Sequence, residues 1–196
     1  MPDLSRYKGI VFDMDGTLID SMGSHAIAWQ KTCEHFGYPY DKEYIHALGG
    51  VPTREIAKLL NEKYGQNHDL DKVSEVKRQA WLALDDDLTV IEDTFKVMQR
   101  YKGVLKMGIG TGSERDNAIR MLTRTGLLDR VETVVTSSDV KNGKPDGETF
   151  LTVAKNMGLS ASECVVFEDT DIGRQAAKNA GMDCIMVIDG KIELPA

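Results

Sequence analysis

Short apolar runs recur along the chain and set the first expectation about its fold. Gly9 to Phe12 is apolar and runs into Asp-Met-Asp-Gly, the pattern of a buried strand that ends in a turn. Leu105 to Ile109, Val131 to Val135, Cys164 to Phe167 and Cys184 to Ile188 are similar runs, each too short for a helix. Between them the apolar period lengthens. Ala118, Ile119 and Leu122 share one helical face, Phe150, Val153, Ala154 and Met157 recur at i, i+3, i+4 and i+7, and Ile172, Ala176, Ala177 and Ala180 behave alike. Gly158 and Gly181 stand where helix C-terminal caps belong. Strands alternating with helices predict parallel βαβ units, and so an α/β fold: a doubly wound, Rossmann-like parallel sheet covered on both faces.

The stretch 19–88 breaks this alternation, because strand-like runs are missing and helical patterns dominate. Its best-marked helix has Thr53 as N-cap, Ile56, Leu59 and Leu60 at helical spacing, and Gly65 as terminator. A βαβ crossover needs only about a dozen residues, so this stretch is an insertion. The expected division is a core domain of residues 1–18 and 89–196 and an all-helical cap of residues 19–88. Leaving the sheet just past the first strand's C-terminal end, the cap would hang over the edge where open α/β sheets bind ligands.

Composition narrows the setting. With 196 residues, 41% of them hydrophobic, the chain can bury one core with a modest insertion, and two large domains are excluded. A net charge of −7 without a long basic run argues against nucleic acid as a partner. Cys33, Cys164 and Cys184 lack the spacing of metal or redox pairs, which points to a reducing compartment. No apolar stretch suits a membrane span or a signal region, so a cytoplasmic protein is expected, with a monomer as the default.

Candidate chemistry gathers at the strand ends. If the first strand continues through Asp13, the carboxylates of Asp13 and Asp15 can point to one side while Gly16 turns the backbone; Asp and Gly are also ordinary turn formers. After the next strand comes GTGSERD, with the Thr111 hydroxyl and backbone amides at a helix start, where Ser113 also reads as a capping residue. Lys144-Pro145 follows the third strand, while Lys141 reads as a solvated charge. Glu168 and Asp169 follow the fourth, and Asp171 reads as an N-cap. Parallel topology puts all four ends at one edge. Two unpaired acids 4 Å apart repel by about 4 kcal/mol at an effective dielectric of 20, so the group calls for a cation. Oxygen donors without a histidine or thiol cluster favour Mg²⁺ over zinc, and Mg²⁺ with Lys144 and Thr111 suggests a phosphorylated substrate.

These four segments, Asp13-Met14-Asp15-Gly16-Thr17, Thr111-Gly112-Ser113, Lys144-Pro145 and Glu168 to Gly173, resemble in order and kind the four motifs of the haloacid dehalogenase superfamily. The cap is similar to that of the β-phosphoglucomutase-like subgroup, and the chain looks most like small bacterial fructose-1-phosphate-type phosphatases. The resemblance implies that Asp13 is the nucleophile and forms an aspartyl-phosphate, and that Asp15 is the general acid and then the base. Thr111, Gly112 and Lys144 would bind phosphate, and Mg²⁺ would be held by Asp13, the main-chain carbonyl of Asp15, Glu168 and Asp169. Asp15 argues against halide displacement. In the cap, His25, Gly50, Arg54 and Lys77 are candidates for the substrate's distal end.

Two departures stand out. The family commonly reads Lys-Pro-x-Pro-Asp where this chain has Lys144-Pro145-Asp146-Gly147-Glu148. The mutase pattern places a lysine beside the glycine of its cap loop, where Gly49 stands here, and losing that cation weakens the grip on a second phosphate. The leading expectation is therefore a Mg²⁺-dependent phosphatase acting on a small sugar phosphate. A β-phosphoglucomutase-type mutase is the alternative, and a non-catalytic phosphosugar-binding module is a third reading.

Overall fold

The computed structural model describes residues 1–84 and 88–193. Strand β1 (Gly9–Phe12) leads through β2 (Ile19–Asp20) into four helices, α1 (Met22–Phe36), α2 (Lys42–Ala47), α3 (Thr53–Tyr64) and α4 (Leu70–Leu82). Strand β3 (Thr89–Val90) returns the chain to α5 (Glu92–Tyr101), β4 (Lys106–Gly110), α6 (Arg115–Arg124), β5 (Thr133–Val135) and α7 (Glu148–Asn156). Then follow β6 (Cys164–Glu168), α8 (Asp171–Asn179), β7 (Asp183–Ile188) and β8 (Lys191–Ile192).

The main sheet runs β5-β4-β1-β6-β7-β8 and is parallel except for the antiparallel edge strand β8. Phe12 lies between Ile109 and Phe167 in register, so the ends of β1, β4 and β6 fall level. Alternation along β1 fixes its two faces. Ile10 and Phe12 join Val97 and Met98 of α5 and Met121 and Leu122 of α6, whereas Val11 joins Val153 of α7 and Ala176 and Ala177 of α8. The expected α/β fold with helices on both faces is what the chain adopts. Gly65, Gly158 and Gly181 all follow helices at positive φ, as expected.

Helices α1–α4 form a cap region with its own apolar cluster, including Trp29, Cys33, Ile45, Ile56, Leu60 and Val73. The passages between cap and core are not strand-free: Ile19 and Asp20 pair antiparallel with Val90 and Thr89. This ribbon and β8 are two residues per strand, too short to leave an alternating pattern. Several local expectations change. The third expected run shrinks to Thr133–Val135 because Glu132 precedes the ladder, and β4 extends to Gly110. Pro52, not Thr53, is the N-cap of α3. Thr170, not Asp171, caps α8 by accepting from the Gly173 amide, and Glu114 rather than Ser113 precedes α6. Among the described residues no helix is long and apolar enough to cross a membrane.

Candidate active site

Asp13 continues β1 by donating its amide to the Phe167 carbonyl at 2.9 Å, which carries its buried side chain to the sheet edge. There Oδ1 accepts from Lys144 Nζ at 2.5 Å, and the same ammonium donates to Glu168 Oε2 at 2.7 Å. Glu168 Oε1 accepts from the Thr170 hydroxyl at 2.8 Å and from the Thr170 amide at 3.1 Å. The Thr17 hydroxyl donates to Asp169 Oδ1 at 3.2 Å. Two glycines make room for these carboxylates. A Cβ on Gly16, which has φ 82°, would lie 2.2 Å from Asp169 Oδ2, and one on Gly173 would lie 2.0 Å from Glu168 Oε2.

Burial pushes the Asp13 carboxyl up, to about 8, with the Glu168 charge adding to the rise and Lys144 opposing it. Burial and the charges of Asp13 and Glu168 likewise push Asp169 up, to about 9. Burial would strip Lys144 of its proton, but Asp13 and Glu168 outweigh it and hold the ammonium. Asp13, Glu168 and Asp169 each offer an oxygen, all within 4.8 Å of one another. One lysine is too little positive charge for three acids to ionise together, as the raised Asp13 and Asp169 values show, and a set of oxygen donors in need of more positive charge fits a hard divalent cation.

Asp15 belongs to a different environment, and its carboxylate lies outside that acid group. Oδ1 accepts from Ser21 Oγ at 2.6 Å and meets His25 Nε2 at 3.0 Å, while Oδ2 accepts from Ser113 Oγ at 2.8 Å. The Thr111 hydroxyl is 3.4 Å from Oδ2. Burial favours the neutral acid here, but His25 and the two serine hydroxyls overcome it and hold the carboxyl well below the usual range. Behind His25, Lys77 Nζ lies 2.9 Å from Nδ1. An ammonium can only donate, so His25 accepts at Nδ1 and donates from Nε2 to Asp15. Burial and the Lys77 charge both lower the His25 pKa, in keeping with this neutral tautomer. Burial brings Lys77 itself down to about 8.

Asp13, Asp15, Thr111 and Gly112 line the floor of a cavity whose roof carries His25, Trp29, Ile45, Gly50, Ile56 and Lys77. The structure thus brings together every expected site residue but Arg54, which turns outward to Asp71 at 2.8 Å, both side chains being exposed. Sequence patterns missed Ser21, held Thr17, Thr170 and Gly173 only as parts of the family-like segments with no task of their own, and gave Ser113 a different task. Ser21 and Ser113 both precede helices, yet neither side chain caps one, and both hydroxyls donate to Asp15. The spacing of Thr170 three residues before Gly173 carried a further local signal, that of a helix start.

Comparison with known proteins agrees with this geometry. Residues 10–187 match the family described as haloacid dehalogenase-like hydrolase. Fructose-1-phosphate phosphatase YqaB of Escherichia coli (strain K12) is 38% identical over 182 residues, covering 93% of this chain and 97% of that protein. Beta-phosphoglucomutase of Bacillus subtilis (strain 168) is 29% identical, covering 96% of this chain and 87% of its own. The crystal structure of a hydrolase from Pseudomonas syringae superposes with a TM-score of 0.86 at 26% identity, over 95% of this chain and 87% of that one. The chain belongs to the haloacid dehalogenase-like hydrolase family, and it is a phosphatase.

Proposed function

We propose that this phosphatase hydrolyses a small sugar phosphate, fructose-1-phosphate-like, with Mg²⁺ as its metal and through an aspartyl-phosphate on Asp13. The observation that carries the reading is the division of labour between two acids two residues apart. Asp13 sits against Lys144 and the acid group, where a phosphoryl group can be met by positive charge. Asp15 is aimed at the cavity among hydroxyls and His25, where a proton can be passed. In this reading the Asp13 carboxylate attacks phosphorus; Asp15, ionised before substrate enters, takes up a proton as the substrate's negative charge arrives beside it, hands that proton to the departing sugar oxygen and later takes one from water. Lys144 holds Asp13 in line and balances the transferring group, while the Thr111 hydroxyl and Gly112 amide bind its oxygens. Asp13, Glu168, Asp169 and the Asp15 carbonyl would hold Mg²⁺, which supplies further positive charge to the phosphoryl oxygens. Residues 19–88 act as the cap, with His25, Gly50 and Lys77 facing the sugar.

The mutase alternative needs a grip on a second phosphate. At Gly49 even a Cβ would lie 2.9 Å from Thr170 Cγ2, so this loop position has no room for a cationic side chain. That favours hydrolysis. The test is inorganic phosphate release from a panel of sugar phosphates, including fructose 1-phosphate and β-glucose 1-phosphate, with Mg²⁺ and with chelator. Release that stops with chelator and returns with Mg²⁺ supports the reading. Conversion of β-glucose 1-phosphate to glucose 6-phosphate without free phosphate would replace it with the mutase.

A further inference from the structure

The cap loop between α2 and α3 rests on core loops through glycines whose backbone does not demand glycine. Neither Gly112 nor Gly143 has a positive φ. What excludes a side chain at each is the cap: a Cβ on Gly112 would lie 2.2 Å from the Gly50 carbonyl oxygen, and one on Gly143 would lie 2.4 Å from Pro52 Cγ and 2.8 Å from its Cδ. Both partners of the second contact are stiff. Pro52 is locked by its ring and starts α3, its carbonyl accepting from the Glu55 and Ile56 amides at 3.0 and 3.1 Å. The Gly143 loop is pinned by Glu148, which accepts from the Lys141 and Asn142 amides at 3.0 and 2.8 Å. Gly143 also immediately precedes Lys144, the cation bound to Asp13.

We propose that Pro52 and Gly143 are positioning residues: the contact between them sets how far the cap closes and so where the cap side of the cavity stands relative to Asp13 and Lys144. The inference deepens the reading of the helical region as a cap over a phosphoryl-transfer site. Two stiff loops in steric contact give a hard stop. Carbon atoms settle about 3.5–4.0 Å apart, so an added methyl at position 143 drives the cap back by about 1 Å.

The test is the pair Gly143→Ala and Pro52→Ala, singly and together. Gly143→Ala should lower kcat/KM by roughly 10- to 100-fold, the scale on which a displacement of about 1 Å acts. Pro52→Ala removes the two clashing atoms and keeps a Cβ that would lie 3.9 Å away, so the double variant should recover most of the loss. Pro52→Ala would relieve a fold defect arising from the same clash as well, so urea melts of the four proteins separate the two: Gly143→Ala should lose kcat/KM while its unfolding midpoint stays close to wild type. Both tryptophans, Trp29 and Trp81, sit on cap helices, and Trp81 stacks 5.4 Å from the core side chain Arg120. Its emission should shift to the red in Gly143→Ala and return in the double variant, with no turnover required. Wild-type kinetics and emission in Gly143→Ala, or a loss that Pro52→Ala does not relieve, would overturn the proposal. A wild-type protein inactive on every sugar phosphate would instead sink the sugar-phosphate reading, and the emission comparison would still decide the contact.

Discussion

The floor and the roof of the cavity handle charge in opposite ways. On the floor, Asp13, Glu168 and Asp169 crowd around one lysine, all within a residue or two of strand ends or, for Lys144, on a loop pinned by Glu148. On the roof, apolar side chains such as Trp29, Ile45 and Ile56 surround one buried string of polar groups, Lys77 to His25 to Asp15. The floor concentrates like charges where backbone geometry is rigid, and so it creates demand for a cation and for a phosphoryl group's positive counterparts. Two of the roof's polar groups, His25 and Lys77, bear on the state of one carboxylate. Rigid strand ends gather the candidate catalytic groups, and a packed helical region covers them.

Removing the proposed nucleophile breaks the floor most severely. Asp13→Asn should reduce turnover by at least about 10⁴-fold, as loss of a covalent nucleophile does, while its melting temperature stays within a few degrees of wild type. Phosphate release and a thermal melt on the same sample check both halves. Turnover close to wild type would dismiss Asp13 as the attacking group.

Asp15 joins floor to roof, and Asp15→Asn comes next. Loss of a general acid and base costs about 10²–10⁴-fold, and the loss should be smallest for substrates with good leaving groups such as aryl phosphates. Equal losses for aryl and sugar phosphates would show that Asp15 moves no proton to the leaving oxygen.

The smallest effect belongs to the roof alone. Lys77→Met removes one charge-assisted hydrogen bond behind His25, worth about tenfold in kcat/KM. Its pH signature is sharper. Lys77 sits at about 8 in the folded protein. The unfolded lysine titrates near 10.4, so between the two the unfolded chain binds the extra proton and stability rises with pH, by about 3 kcal/mol in all. Lys77→Met should flatten that rise in urea titrations from pH 7.5 to 10.5. An unchanged slope would mean that Lys77 does not carry its charge into the roof.

Most of the floor was legible because its residues follow strands. Asp13, Thr111 and Glu168 each lie at or just beyond an apolar run, and a parallel sheet brings such ends together whatever the intervening loops do. Ser21 and Ser113 were harder, because a serine before a helix carries the same local signature whether its hydroxyl caps that helix or serves another segment. Arg54 was misplaced for a related reason: its spacing put it at a helix start near the cap loop, but helical rotation turned it toward Asp71.

The sequence by itself determined the α/β order of elements, the insertion after the first strand, and the set of acids, lysine and threonine at one sheet edge. These follow from short-range periodicity and from the topology that parallel strands impose. Only the tertiary structure decided that Ser21, His25 and Ser113 converge on Asp15, that Lys77 stands behind His25, and that Gly112 and Gly143 are bare to admit the cap. The partners in those contacts lie up to 98 residues apart in the chain, and their meeting depends on side-chain direction and on the seating of one packed unit against another. A local pattern holds no information about either.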